Sequence, residues 1–196
     1  MKKLLVTAFE PFGGENINAS ALVLERLPER ICSWEIVKLT LPVVFGRAGE
    51  LAAAKASEIG ADAVLSLGQA AGRSKVTPEY VAINFRDARI PDNDGQQPSQ
   101  EPIVPGGPDA FFATLPVFNM ASAITKNGLP GEVSYSAGTY VCNDLFYSLM
   151  NRFSGTDVRV CFMHLPLTPE QATDDQPSLA LDDMVSAVVS AVEAIA

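Results

Sequence analysis

The chain has 196 residues, 47% of them hydrophobic and only 19% charged, which is enough apolar material for a sizeable core and excludes a disordered chain. Lys and Arg number 14 against 23 Asp and Glu, a formal charge of −9, and this excludes the basic footprint that nucleic-acid phosphates require. The length fits one domain, and the apolar runs fall far short of a bilayer span.

Residues 3–9 predict a buried first strand. Glu10 and Pro11 cut this apolar run short and no small-residue cleavage site follows, so a cytoplasmic protein is expected rather than a signal peptide. The next loop, Glu10-Pro11-Phe12-Gly13-Gly14-Glu15-Asn16, lacks both Gly-x-Gly-x-x-Gly spacing and a Lys-Ser/Thr pair, and its glutamates would repel phosphate. Phe9 and Phe12 read either as walls of an apolar slot or as plain core. Asn18 or Ser20 caps a helix that ends at Leu27-Pro28. Residues 34–39 predict a strand. Residues 44–59 predict a helix stopped by Gly60. Residues 63–67 form a continuous apolar run, as in a strand covered on both faces. Residues 79–85 predict another strand. Residues 86–108 are crowded with Pro, Gly, Asp, Asn and Gln. That is too long for an ordinary connection, so a functional loop is expected, carrying a hairpin and mobile at a pocket mouth. A helix over 116–126 starts with Pro and stops at Asn127-Gly128. A short strand over 133–136, a helix over 140–152 and a core strand over 158–163 follow. The last helix is predicted to begin near Pro177, with Leu181, Met184, Val185, Val188, Val189, Val192 and Ile195 as its apolar stripe. Strands alternating with helices predict one α/β domain, with a mostly parallel twisted sheet sandwiched between helices. No internal repeat or linker divides it.

The cysteines, Cys32, Cys142 and Cys161, are odd in number and sparse, which is no disulfide framework. The chain has a single histidine, His164, which excludes a histidine-cluster zinc site. His164 lies at the C-terminal end of a predicted strand, where ligands and catalytic groups gather in open α/β sheets. It is either a hydrogen-bonded structural residue or a general base. Cys142 lies where a strand ends, a Gly138 turn follows and a helix begins. A thiol there feels the positive end of the helix dipole and the free N–H groups, which predicts a thiolate-favouring nucleophile beside an oxyanion site. The plainer alternative is a small buried hydrophobe. Cys161 sits among Val160, Phe162 and Met163 and reads as core. Cys32 has no visible partner.

Several stretches in one order resemble the pyroglutamyl peptidase I, or pyrrolidone-carboxylate peptidase, family of cysteine peptidases. They are Phe9-Glu10-Pro11-Phe12-Gly13-Gly14 with Asn16 and Asn18; Gly68-Gln69-Ala70; Thr77-Pro78-Glu79-Tyr80-Val81-Ala82-Ile83-Asn84; Asp87-Ala88-Arg89-Ile90-Pro91-Asp92-Asn93; Gly138-Thr139-Tyr140-Val141-Cys142-Asn143; and His164-Leu165-Pro166. The resemblance runs over almost the whole chain. It implies removal of N-terminal 5-oxoproline from peptides through a thioester, with Cys142 as nucleophile, His164 as base and Glu79 as the carboxylate that orients the imidazole. It implies that Phe9 and Phe12 flank the substrate ring. Asn16, Gln69, Ile90, Tyr140 and Val141 would help bind it, with Arg89 close to the catalytic centre. It implies no cofactor and no metal, and a homo-tetramer as the partner state. The chain departs from the family pattern at Ala71, where Gly is frequent, at Tyr140, where Phe is usual, and at Phe85-Arg86. A different α/β amidase using the same Cys–His pair, a binding protein that keeps the pocket, and a structural scaffold are the other readings.

Overall fold

In the computed structural model, which describes residues 2–173 and 175–196, the first strand, β1 (Lys2–Phe9), is the axis of the molecule. Its side chains alternate across the sheet, so Leu4, Val6 and Ala8 enter one core while Leu5 and Phe9 enter another. Thr7 between them is buried and donates to Ser66 at 2.9 Å, which satisfies both hydroxyls inside the sheet. The remaining strands are β2 (Arg30–Ile31), β3 (Trp34–Leu41), β4 (Ala63–Gln69), β5 (Thr77–Glu79), β6 (Val81–Ile83), β7 (Ala110–Phe112) and β8 (Arg159–Leu165). Six of them form a sheet in the order β2-β3-β1-β4-β8-β5. Its centre is parallel, and both edges, β2 and β5, are antiparallel. β6 and β7 form a separate two-stranded ribbon.

The helices are α1 (Ala19–Arg26), α2 (Arg47–Ile59), α3 (Val117–Lys126), α4 (Val141–Arg152) and α5 (Leu181–Glu193). α1, α3 and α5 cover one face of the sheet, while α2 and α4 cover the other. The result is the single α/β domain that the alternating pattern predicts. Local chemistry explains several ends. The Asn18 side chain accepts from Ser20 N–H at the start of α1. Gly60 ends α2 in the left-handed region at φ 62°. Among the described residues no helix is long and apolar enough to cross a membrane.

Four expectations change. Residues 79–85 are not one strand. β5 pairs with β8, then the chain leaves the main sheet at Tyr80 and β6 pairs with β7. Local β propensity is continuous across that point, and only the choice of partner breaks it. Residues 133–136 make one isolated bridge rather than a strand, Ser134 alongside Glu79, with a second at Gly131 alongside Val76. Pro78 and Pro130 flank this pairing and have no N–H to extend a ladder. α2 begins at Arg47 because Gly46, at φ 72°, turns the chain there. α5 begins at Leu181 because Ser178 still bridges Leu167.

The 86–108 segment is a long excursion between β6 and β7, closed by a single isolated antiparallel bridge between Arg86 and Glu101 in place of the expected hairpin. Side-chain hydrogen bonds tie it to its neighbours. Asp92 accepts from Phe45, Asp94 and Gln96 N–H groups. Asn93 donates to Glu10 and Pro11, and Tyr147 donates to Pro108 O. The composition that predicts a mobile lid also supplies the short polar side chains that tie the loop down.

Candidate active site

Three strands of the parallel centre, β1, β4 and β8, end on the same side of the sheet, at Phe9, Gln69 and the His164-Leu165 pair. This is where an open α/β sheet offers a crevice. Glu79 ends the antiparallel edge strand β5, whose Thr77 stands opposite His164. Cys142 is the second residue of α4, after the Gly138 turn. The helix brings three free N–H groups to its first turn, because intrahelical bonding begins with Asp144 N–H to Tyr140 O.

His164 Nδ1 lies 2.7 Å from Glu79 Oε1. A carboxylate can only accept, so Nδ1 carries the proton and Nε2 is left as the basic nitrogen. The pair is buried, with Glu79 fully so. The Phe162 ring packs 4.8 Å from the imidazole centroid. Gly68 faces His164 in the β4–β8 register. A Cβ there would sit 2.6 Å from Phe162 and 3.0 Å from Cys142 Sγ. Glycine at 68 is therefore what lets the thiol reach the sheet surface beside His164.

The protonation states follow from burial. Burial pushes the Cys142 thiol up to about 12, the Glu79 charge adds to the rise, and Arg73 opposes it. This direction runs against the depressed thiol expected at a helix N-terminus, and its cause is the cost of holding the thiolate away from water. Burial likewise lowers the His164 imidazole, against the pull of Glu79. Burial therefore favours the neutral form of both groups at rest.

A small slot opens beside the sulfur, lined by Phe9, Phe12, Asn18, Val43, Gln69, Tyr140, Val141 and Cys142. Phe12 and Phe45 pack on the Tyr140 ring at 6.1 and 5.3 Å. Five of the expected binding residues thus meet here: Phe9, Phe12, Gln69, Tyr140 and Val141. Asn16 does not. It is exposed on the loop, and Asn18 lines the slot in its place. Asn18 reaches inward because it caps α1 with its oxygen and donates to Glu10 O at 3.0 Å. Arg89 and Ile90 lie outside the slot, in an adjoining groove with Asp87, Gly138, Thr139 and Tyr140. Both are exposed, because the loop that carries them runs along the rim. Val43 is a wall that sequence reading missed, since its place among apolar residues carries no signal.

The family departures have partners. Tyr140 donates its hydroxyl to Pro91 O at 3.0 Å, so the extra oxygen is satisfied by the loop. Arg86 pairs with the fully buried Asp144, Nε to Oδ1 at 2.5 Å, and Asp144 also accepts from Gly46 N–H at 2.7 Å. Asn143 clamps the backbone at the end of β6 and just beyond it, through Ile83 and Phe85. The residues that follow the cysteine therefore anchor the N-terminal turn of α4 to the strand and loop beneath it. Two larger hollows, of about 320 and 400 Å³, lie beside Phe111 and Phe153 and beside Glu29 and Lys38; neither is lined by a thiol or an imidazole.

A family model described as pyroglutamyl peptidase matches residues 2–196. Pyrrolidone-carboxylate peptidase 1 of Caldanaerobacter subterraneus subsp. tengcongensis is 48% identical over 98% of this chain and 97% of its own length. The pyrrolidone-carboxylate peptidase of Levilactobacillus brevis is 45% identical over 98% and 97%. The crystal structure of pyroglutamyl peptidase I from Bacillus amyloliquefaciens superposes with a TM-score of 0.95 at 41% identity, covering 100% of this chain and 97% of that one. Pyrrolidone carboxyl peptidase from Thermococcus litoralis gives 0.94 at 36% identity, covering 100% and 93%.

Proposed function

The chain belongs to the pyroglutamyl peptidase family, and from that premise we propose that it removes N-terminal 5-oxoproline from peptides, with Cys142 as nucleophile, His164 as general base and Glu79 as the residue that orients it. The observation that carries the roles is the 2.7 Å contact between His164 Nδ1 and Glu79 Oε1, which leaves Nε2 free on the side of the sheet where Gly68 admits the Cys142 sulfur.

The steps follow from the neutral resting pair. His164 Nε2 takes the thiol proton as the sulfur attacks the pyroglutamyl carbonyl carbon, so the thiolate need not exist beforehand. The free N–H groups at the start of α4 face the oxygen that gains charge. Glu79 supports the imidazolium. His164 then protonates the leaving amine, and the peptide departs with a new N-terminus. Water, deprotonated by His164, attacks the thioester carbonyl; the C–S bond breaks, His164 returns the proton to the Cys142 sulfur, and 5-oxoproline is released. Every proton is carried by the chain's own groups.

Hydrolysis of a chromogenic pyroglutamyl amide, with and without iodoacetamide, tests the activity. Turnover that alkylation removes is the expected result, and no turnover overturns the reading. Glu79→Gln tests the acid's role. A carboxamide still accepts from Nδ1 but cannot balance the imidazolium. We expect kcat to fall about 10²- to 10⁴-fold with KM little changed. Unchanged kcat would remove Glu79 from the mechanism.

The proposal extends to a cytoplasmic homo-oligomer. All three cysteines are free, one exposed and one fully buried, which suits a reducing compartment. Tyr80, Phe112, Phe118 and Tyr135 form an aromatic cluster with neighbouring centroids 5.0 to 6.0 Å from Tyr80. Phe112, Phe118 and Tyr135 are each more than half exposed, the kind of patch that a second copy would cover. Sedimentation velocity reads the association state, and a monomer at working concentration would refute this part.

A further inference from the structure

Glu79 does not stand alone behind His164. Arg73, on the connection between β4 and β5, places Nη1 2.8 Å from the same Oε1 that meets the imidazole. The same nitrogen donates to Thr77, and Nη2 donates to Ser136 O at 3.0 Å. Ser136 belongs to the segment that leads through Gly138 into α4 and Cys142. The guanidinium is largely buried, with about a quarter of its side chain exposed (26%). The other oxygen of Glu79, Oε2, is buried with no hydrogen-bond partner among the described residues. Among the described residues, Arg73 is thus the one Lys or Arg bonded to this buried carboxylate.

We propose that Arg73 is a positioning residue of this site: its fork holds the Glu79 carboxylate against His164 and ties that acid to the segment that carries the nucleophile. The inference rests on the Cys142–His164–Glu79 reading and adds to it a fourth group that touches neither substrate nor sulfur.

Charge balance gives the proposal its measurable consequence. With Arg73 in place, the carboxylate, the guanidinium and a neutral imidazole are neutral together. Taking up a proton then creates a buried positive charge. Without Arg73 the same pair is net negative, and taking up a proton makes it neutral. Burial favours the neutral state in each case, so the proton should bind the pair more readily once Arg73 is gone. The other titratable group on the pair's face of the sheet is Cys142 from α4, and Cys161 of β8 lies on the opposite face beneath the Glu79 carbonyl; burial keeps both neutral. They cannot replace the lost cation. Lysine at 73 keeps the charge but has no planar fork to span Glu79, Thr77 and Ser136 together.

His164 is the only histidine in the chain, so its imidazole resonances can be titrated by NMR without ambiguity, beside steady-state kinetics of the full-length enzyme. In Arg73→Gln the His164 titration and the acid limb of kcat/KM should move up together by about one pH unit or more. At neutral pH kcat should fall about 10- to 100-fold with KM within about threefold, the pattern of a group that acts in the transition state. Arg73→Lys should restore the titration to near its original position while recovering kcat only in part. Should Arg73→Gln not fold, Glu79→Gln is compared with the Glu79→Gln/Arg73→Gln double variant, whose site regains charge balance. Adding the second change should again move the His164 titration upward. A titration that stays where it was, or a loss confined to KM, overturns the role of Arg73. Because the parent enzyme still turns over in that case, the peptidase reading would stand; only loss of parent activity counts against it.

Discussion

Replacing Cys142 by alanine should lower kcat/KM for a pyroglutamyl amide by at least about 10⁴-fold, because no thioester can form and nothing else in the slot can attack. His164→Ala should be nearly as severe, since no second imidazole exists to stand in. The other two cysteines are the controls. Cys32 is exposed, and Cys32→Ala should leave kinetics unchanged. Cys161 is fully buried in β8, its sulfur 3.9 Å from Glu79 O. Cys161→Ala should keep the chemistry and lose roughly 1 kcal/mol of stability, the cost of a small cavity. The pH dependence has a definite sign. The Cys142 thiol is pushed up to about 12 by burial. Its alkylation by iodoacetamide should therefore keep rising beyond pH 9, where an ordinary thiol of pKa about 8.5 is levelling off. The His164 imidazole is lowered, first by burial. Activity should therefore persist below the ordinary imidazole pKa of about 6.5 and fall only as the pH drops through the lowered value. Alkylation mapped by mass spectrometry, with kinetics of each variant, reads all of this. Full activity in Cys142→Ala ends the cysteine-peptidase reading. Alkylation that levels off well below pH 8 would instead mean a thiolate formed before substrate arrives.

A prolyl amide should be turned over about 10⁴- to 10⁵-fold less efficiently than the matched pyroglutamyl amide. The two rings have nearly the same shape, so the difference must come from polar groups. Phe9, Phe12, Val43, Tyr140 and Val141 make the walls, and no Asp or Glu lines the slot. The prolyl ammonium would lose its water there and meet no carboxylate. The lactam has no such charge, and it brings a carbonyl that proline lacks. The Gln69 amide, which lines the slot, is the expected donor to that carbonyl. Its Oε1 already accepts from Ala19 N–H at 2.8 Å and from Gln171 Nε2 at 2.7 Å, which leaves the Gln69 NH₂ as a donor. A prolyl substrate leaves that donor unpaired, and an unpaired buried polar group is expensive. Comparing kcat/KM for the two amides tests the claim, and equal values would sink it.

Much of the architecture was legible because it rests on local rules. Continuous burial in β1 and in β4, where Ser66 alone interrupts the apolar residues of 63–67, marks strands covered on both faces. Asn18 and Gly60 mark helix ends through side-chain and backbone geometry that their own residue types dictate. What was not legible involves a choice of partner. The turn at Tyr80 from one sheet to another, and the failure of 133–136 to form a strand, depend on which backbone lies alongside.

The site divides along the same line. Sequence by itself singled out the chemistry of Cys142 and His164, one thiol at a predicted helix start and the only imidazole in the chain. It could not choose Glu79 from the other acidic residues; family resemblance did that. Asn16 and Asn18 are two residues apart and chemically identical, yet only Asn18 lines the slot, because capping α1 turns it inward. Arg73 gave no signal either, since an arginine in a glycine-containing turn reads as a solvated charge. Tertiary structure alone decided the protonation of the thiol. A helix N-terminus is visible in sequence and favours the thiolate, whereas burial is a property of everything packed around the sulfur. Desolvation raises the thiol and lowers the imidazole, the direction expected of a nucleophile that loses its proton as it attacks.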